Sequence, residues 1–180
     1  MTEEGSEKSG QGLLEWYEAL VFAIVVVVVA FSFALRITLV NGTSMVPTLQ
    51  DQDRLVVWAA GYTPAHGDIV ILDGYIDFGK PLVKRIIGLP GDTVNIDFST
   101  GEVSVNGEVL DEPYIADQTH LQGDVTFPLT VPEGKVFVMG DNRNGSTDSR
   151  FSSVGCIDER DVLGKAFFRL LPFSEIGTIA

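Results

Sequence analysis

A serine, a lysine and one polar loop are the residues of this chain whose types and settings suit chemistry. Ser44 stands in Asn41-Gly42-Thr43-Ser44-Met45-Val46-Pro47-Thr48-Leu49, between a flexible entry and an apolar exit. Taken alone, a loop serine is a turn former or a cap far more often than a nucleophile. Lys84 stands in Leu82-Val83-Lys84-Arg85-Ile86-Ile87-Gly88. Strand alternation puts Leu82, Lys84 and Ile86 on one face and Val83, Arg85 and Ile87 on the other. Both faces are apolar around a single cation, the pattern of a strand buried on both sides. Burial lowers a lysine pKa, and a neutral amine can take the proton of a hydroxyl. Arg85 cannot, because it stays protonated. The competing reading is that both cations snorkel to the surface. The polar loop is Gly140-Asp141-Asn142-Arg143-Asn144-Gly145-Ser146-Thr147-Asp148-Ser149-Arg150. Its Asp148 is placed to pair with Arg150 or Arg143. The same oxygens would suit a calcium loop, although the spacing is not that of an EF-hand and two arginines lie within it.

Short β-type runs separated by Gly, Pro and Asp must position these residues. They predict strands at 54–58, 68–72, 82–88, 93–97, 102–105, 125–129, 135–139 and 165–170. Asn106-Gly107 predicts a hairpin turn. Ahead of them, residues 19–35 carry no charge and include five consecutive valines, Val25 to Val29. At 1.5 Å per residue this run spans roughly 26 Å as a helix, and about 33 Å if continued to Val40. Trp16 and Tyr17 precede it, where an interfacial belt would lie. The predicted organisation is a polar, disordered tail over 1–15, a membrane-spanning helix over 16–40 and a β-rich domain over 41–180. A cleaved leader fits less well, because Lys8 is the only basic residue in a Glu-rich tail. With Arg36 and Arg54 on the other side, charge bias assigns no orientation.

Composition excludes several function classes. Lys and Arg number 12 against 25 Asp and Glu, a formal charge of −13. A nucleic-acid binder needs basic clusters, and none occurs. Cys156 is the only cysteine, so no internal disulfide or thiolate metal site is suggested. With His66 and His120 the only histidines, zinc proteases and Ser-His-Asp hydrolases start poorly. Both histidines read as turn or surface residues, and Cys156 as a small, partly buried one.

The three stretches together resemble the type I signal peptidases. Gly42-x-Ser44-Met45-x-Pro47-Thr48-Leu49 is similar to the nucleophile box of that family. Lys84-Arg85-x-x-Gly88-Leu89-Pro90-Gly91-Asp92 is similar to its general-base box. Gly140-Asp141-Asn142-Arg143 with Ser146-x-Asp148-Ser149-Arg150 is similar to its third box. His66-Gly67-Asp68-Ile69-Val70 looks like the short strand box between the first two. The resemblance implies a mainly β fold: a compact antiparallel β-sheet catalytic domain behind one N-terminal transmembrane helix. It implies Ser44 as nucleophile and Lys84 as base, with Ser146 hydrogen-bonding the lysine amine. Asp148 and Arg150 would hold the loop around the pair, and Asp141, Asn142 and Arg143 would support the fold nearby. The Ser44 N–H would stabilise the oxyanion. A serine found two residues earlier in some members is Gly42 here, so that site is less fully specified.

Small substrate residues at −1 and −3 would meet shallow pockets walled by Val40, Met45, Leu49, Leu82 and Val83. The implied partners are signal peptides of secretory preproteins, membrane lipid and the secretion translocon, with no nucleic acid, cofactor or metal. The implied location is the plasma membrane, N-terminus cytoplasmic and catalytic domain outside. The brief segment from 92 to 140 resembles the compact Gram-positive form. Two rivals are a self-cleaving repressor-type peptidase and a non-enzymatic membrane-anchored β domain. The first would carry a DNA-binding helical domain in place of the apolar run. The second would not need Ser44, Lys84, Ser146 and Asp148 together.

Overall fold

The computed structural model describes residues 4–74 and 79–179, with the side chains of 4–14, 30 and 33 left aside. The chain divides into two units, residues 1–35 and 36–180. The first is a helix, α1 (Glu4–Ala34). Residues 4–15, expected as a disordered tail, belong to it, and residues 1–3 lie outside the described residues. Glu, Lys and Gln are good helix formers, and here they extend a helix already nucleated by the run that follows. The helix stops at Ala34, short of the expected boundary at 40, because residues 35–39 form a strand. From Leu20 to Phe31 the large apolar side chains described are exposed. Among the described residues no helix is long and apolar enough to cross a membrane.

The second unit is mainly β. Its strands are β1 (Leu35–Leu39), β2 (Arg54–Trp58), β3 (Ile69–Leu72), β4 (Leu82–Gly88), β5 (Thr93–Asp97), β6 (Glu102–Val105), β7 (Glu108–Val109), β8 (Leu129–Thr130), β9 (Lys135–Met139), β10 (Ile157–Asp158), β11 (Val162–Leu171) and β12 (Gly177–Thr178). One sheet runs β1-β2-β11-β3-β4-β9-β10, with β12 also on β11, and a smaller sheet runs β7-β6-β5-β8. The registers from β2 through β9 are antiparallel. The strand expected at 125–129 shrinks to Leu129–Thr130. Pro128 has no N–H for a ladder, and the Val125 N–H donates instead to the Arg150 carbonyl at 3.1 Å.

Alternation along the strands feeds two cores. Ile69 and Ile71 enter one with Met45, Leu49, Leu55 and Val57. Val70 and Leu72 enter the other with Ile86, Val136 and Val138. Val83 packs on the first and Leu82 on the second, so β4 is covered on both faces. A third core joins the β4 end to the small sheet through Ile87, Val94, Phe137 and Met139. Between β1 and β2 the chain makes a loop closed at its neck. The Val40 N–H donates to the Asp53 carbonyl at 2.8 Å, and the Gln52 N–H donates to the Val40 carbonyl at 2.9 Å. Ser44 rides on that loop.

Candidate active site

Ser44 occupies a tight turn inside the closed loop. The turn is held by Val46 N–H to Thr43 O at 3.2 Å and Leu49 N–H to Met45 O at 2.9 Å. It is entered through Gly42, whose φ of +93° is a left-handed value that only glycine takes easily. The Asp51 carboxylate accepts the Gly42 N–H at 2.7 Å. Space is open around Gly42, so backbone conformation is what disfavours a serine there. No side-chain hydroxyl can join an oxyanion site from that position without strain.

Lys84 comes from the middle of β4, opposite Val70 of β3. Its side chain is 2% exposed, and its Nζ donates to Ser44 Oγ at 2.6 Å. Two residues forty positions apart meet because the closed loop lies over β4. Burial brings the Lys84 pKa down from 10.5 to about 8. Asp148 pulls it upward and Arg150 pushes it downward, both less strongly than the loss of water does. The surface reading of Lys84 and Arg85 fails: both are buried.

The polar loop surrounds this contact. Asp148 and Arg150 form a fully buried fork, Nε to Oδ1 at 2.8 Å and Nη2 to Oδ2 at 2.9 Å. The same carboxylate accepts the Gly140 N–H at 3.0 Å. Asp141 binds Arg85 through both oxygens, at 2.9 and 2.8 Å, and accepts the Thr48 hydroxyl at 2.5 Å. One carboxylate thus ties the serine turn to the lysine strand. Arg143 is buried on Glu112 and Thr119. With Asp141 and Asp148 each committed to an arginine, the calcium-loop alternative loses its principal oxygen donors.

The Ser146 hydroxyl departs from expectation. It is buried and has no hydrogen-bond partner among the described residues, so the expected bond to Lys84 is not made. It packs instead against Gly140, where a β-carbon would collide with Ser146 Oγ and with the Ser44 carbonyl oxygen.

A groove of about 690 Å³ runs past Ser44 and Lys84. Val40, Met45, Leu82 and Val83 line it, together with Ile37, Leu39, Gly145 and Thr147. Leu49 does not line it. It is fully buried in the core beneath, with Leu55 and Val57, because the turn that exposes Ser44 points Leu49 inward. His66 bonds Asp92 at 2.6 Å and His120 bonds the Phe98 carbonyl at 3.1 Å. Neither lines the groove.

Several supporting residues escape sequence reasoning. Arg169 of β11 donates to the Thr48 carbonyl at 2.5 Å and pairs with buried Asp53. The Tyr114 ring is approached by two guanidinium groups, with its centroid 3.9 Å from that of Arg85 and 5.8 Å from that of Arg143. Glu112, Tyr114 and Thr119 belong to an irregular strap with no periodic pattern. Only their contacts reveal them.

A buried amine against a serine hydroxyl, at the floor of a groove on a mainly β domain, suits a serine-type hydrolase that does without histidine. The family model for signal peptidase, peptidase S26, matches residues 13–171. A signal peptidase I of Bacillus licheniformis is 43% identical over 187 aligned positions, covering 98% of this chain and 98% of that protein. A signal peptidase IB of Staphylococcus aureus is 36% identical over 181 positions, covering 91% and 92%. A crystal structure of a signal peptidase I from Enterococcus faecalis is 33% identical, covering 58% of this chain and 97% of that one at a TM-score of 0.49. The chain belongs to the signal peptidase family, peptidase S26. It is a serine-type endopeptidase that acts on signal peptides.

Proposed function

We propose that Ser44 and Lys84 carry the reaction as nucleophile and general base, on preproteins held extended in the groove. The observation behind this reading is the 2.6 Å contact between Lys84 Nζ and Ser44 Oγ, with the amine buried and its pKa brought toward neutrality. Deprotonated, the amine turns its lone pair toward the hydroxyl and accepts its proton. Ser44 Oγ then bonds the carbonyl carbon of the −1 residue, and the Ser44 N–H holds the oxyanion. The Lys84 ammonium returns the proton to the leaving amine, which releases the mature chain and leaves an ester on Ser44. Water gives a proton to the same amine and attacks the ester, and the ammonium returns that proton to Ser44 Oγ as the acyl bond breaks and the signal peptide leaves. Asp148, Arg150, Arg143 and Asp141 support the pair through their ion pairs, and Ser146 contributes by packing at Gly140 beside the Ser44 carbonyl. Small −1 and −3 side chains fit the shallow walls made by Val40, Met45, Leu82 and Val83.

The uncharged run 19–35 and the exposed apolar row on α1 support attachment to lipid, with the β domain on the side where exported chains emerge near the translocon. Protease added to intact, wall-stripped cells should reach the β domain, and protection of that domain would reverse the orientation.

Cleavage of a purified preprotein tests the catalytic pair. Ser44→Ala should fold and fail to cleave. Lys84→Arg should be equally inactive, since a guanidinium cannot accept the proton. Cleavage at the wild-type rate by either variant would remove the assignment.

A further inference from the structure

Three consecutive side chains hold the loop that forms one wall of the groove, each from a different direction. Asn142 grips the serine turn: its N–H donates to Ser44 O at 3.0 Å and its Nδ2 to Thr43 O at 3.1 Å. Arg143 points inward to Glu112 and Thr119. Asn144 points outward to the strap. Its Oδ1 accepts the backbone N–H of His120 at 3.0 Å and of Leu121 at 2.9 Å, and its Nδ2 donates to Gln118 O at 3.0 Å. The amide orientation is dictated, because the reverse would set an NH₂ against two N–H groups. Leu121 is gripped a second time through its carbonyl, by Arg150 at 2.9 Å.

Asn144 is exposed and does not line the groove, whereas Gly145 and Thr147 do. We propose that Asn144 is a positioning residue for substrate, tethering the Gly145–Thr147 wall to the strap segment 118–121 so that the groove keeps its shape beside Ser44. This rests on the reading of the groove as the peptide-binding site. The catalytic pair itself is set by β4 and by the closed loop, so a slack wall should weaken binding and leave chemistry nearly intact. Water can replace the lost bonds at this exposed position, which separates the effect on substrate from any effect on folding.

The test uses the full chain in detergent, comparing wild type, Asn144→Ala and Asn144→Asp. Asn144→Ala should raise KM for a preprotein by about tenfold, the weight of one or two net hydrogen bonds, with kcat within about twofold. Amide hydrogen exchange across residues 145–147 should speed up by on the order of tenfold, while β4 and β9 stay unchanged. Asn144→Asp keeps the acceptor for two N–H groups and should fall between. An unchanged KM, with kcat falling only as folded protein is lost, would overturn the proposal. So would unchanged exchange in 145–147, whatever the activity. If wild type cleaves no preprotein, the functional reading fails, and the exchange experiment still decides whether Asn144 tethers the wall.

Discussion

Asp148–Arg150 and Asp158–Arg160 are the same local device in two settings. Each is an Asp-x-Arg with the aspartate two residues ahead, and each closes as a fork with Nε on Oδ1 and Nη2 on Oδ2. The distances are 2.8 and 2.9 Å in the first and 2.9 and 2.8 Å in the second. In the first pair both side chains are fully buried. In the second the arginine is 88% exposed. The outer pair holds the Asp158 carboxyl below the usual range through the Arg160 hydrogen bonds and caps a short 3₁₀ turn. The inner pair also anchors Gly140 and Leu121 and biases Lys84 from both signs. Short-range stereochemistry makes the fork; burial decides what the fork controls. A buried pair adds little net stability, yet losing one partner leaves an unpaired charge away from water.

Breaking the inner fork should have the largest effect. Asp148→Ala should lower unfolding stability by about 3–5 kcal/mol in urea titrations, whereas Asp158→Ala, which loses only an exposed fork and the cap of a short turn, should move the midpoint far less. A milder break, Asp148→Asn, removes the charge that pulls the Lys84 pKa upward. Its rising limb of activity should move to lower pH than the wild-type limb near 8.

Next comes the lysine that the inner fork surrounds. The folded state releases the Lys84 proton near pH 8 and the unfolded chain near 10.5. Between those values the unfolded state binds more protons, so stability falls as pH drops through that window and stays low below 8. Lys84→Met removes this penalty and should raise stability at pH 7 by about 3 kcal/mol, with the gain vanishing above 10.5, while abolishing cleavage. A pH-independent gain would mean packing and not charge is responsible. Smallest of all, Arg160→Lys should change neither midpoint nor activity, while Arg150→Lys should cost about 1–2 kcal/mol through the lost fork.

Legibility in the sequence followed interaction range. Strands β2, β4, β5, β6 and β9 matched their expected limits because alternation and turn residues are local signals. The burial of Lys84 was only partly readable: Leu82, Val83, Ile86 and Ile87 mark a strand covered on both faces, but Lys84 and Arg85 are both long enough to snorkel out of one. Strand β1 was hidden inside an apolar run, where helix and strand share one composition. The place of Leu49 depended on which way the serine turn faces, and the solitary Ser146 hydroxyl on packing against Gly140. The strap's role was unreadable for another reason: Thr119 meets Arg143 and Tyr114 meets Thr48 across long stretches of chain, and no periodicity marks them.

The two-bond neck at Val40 has a mechanical meaning. Tension entering the β domain along the chain at Arg36 is taken up by the pairing of β1 with β2 and then by the clasp of Val40 with Asp53 and Gln52. Load is therefore shunted across the neck into β2, and the arc from Asn41 to Asp51 carries almost none of it. The serine is insulated from a pull on its own backbone, much as a bead on a looped thread stays slack when the knot below it is drawn.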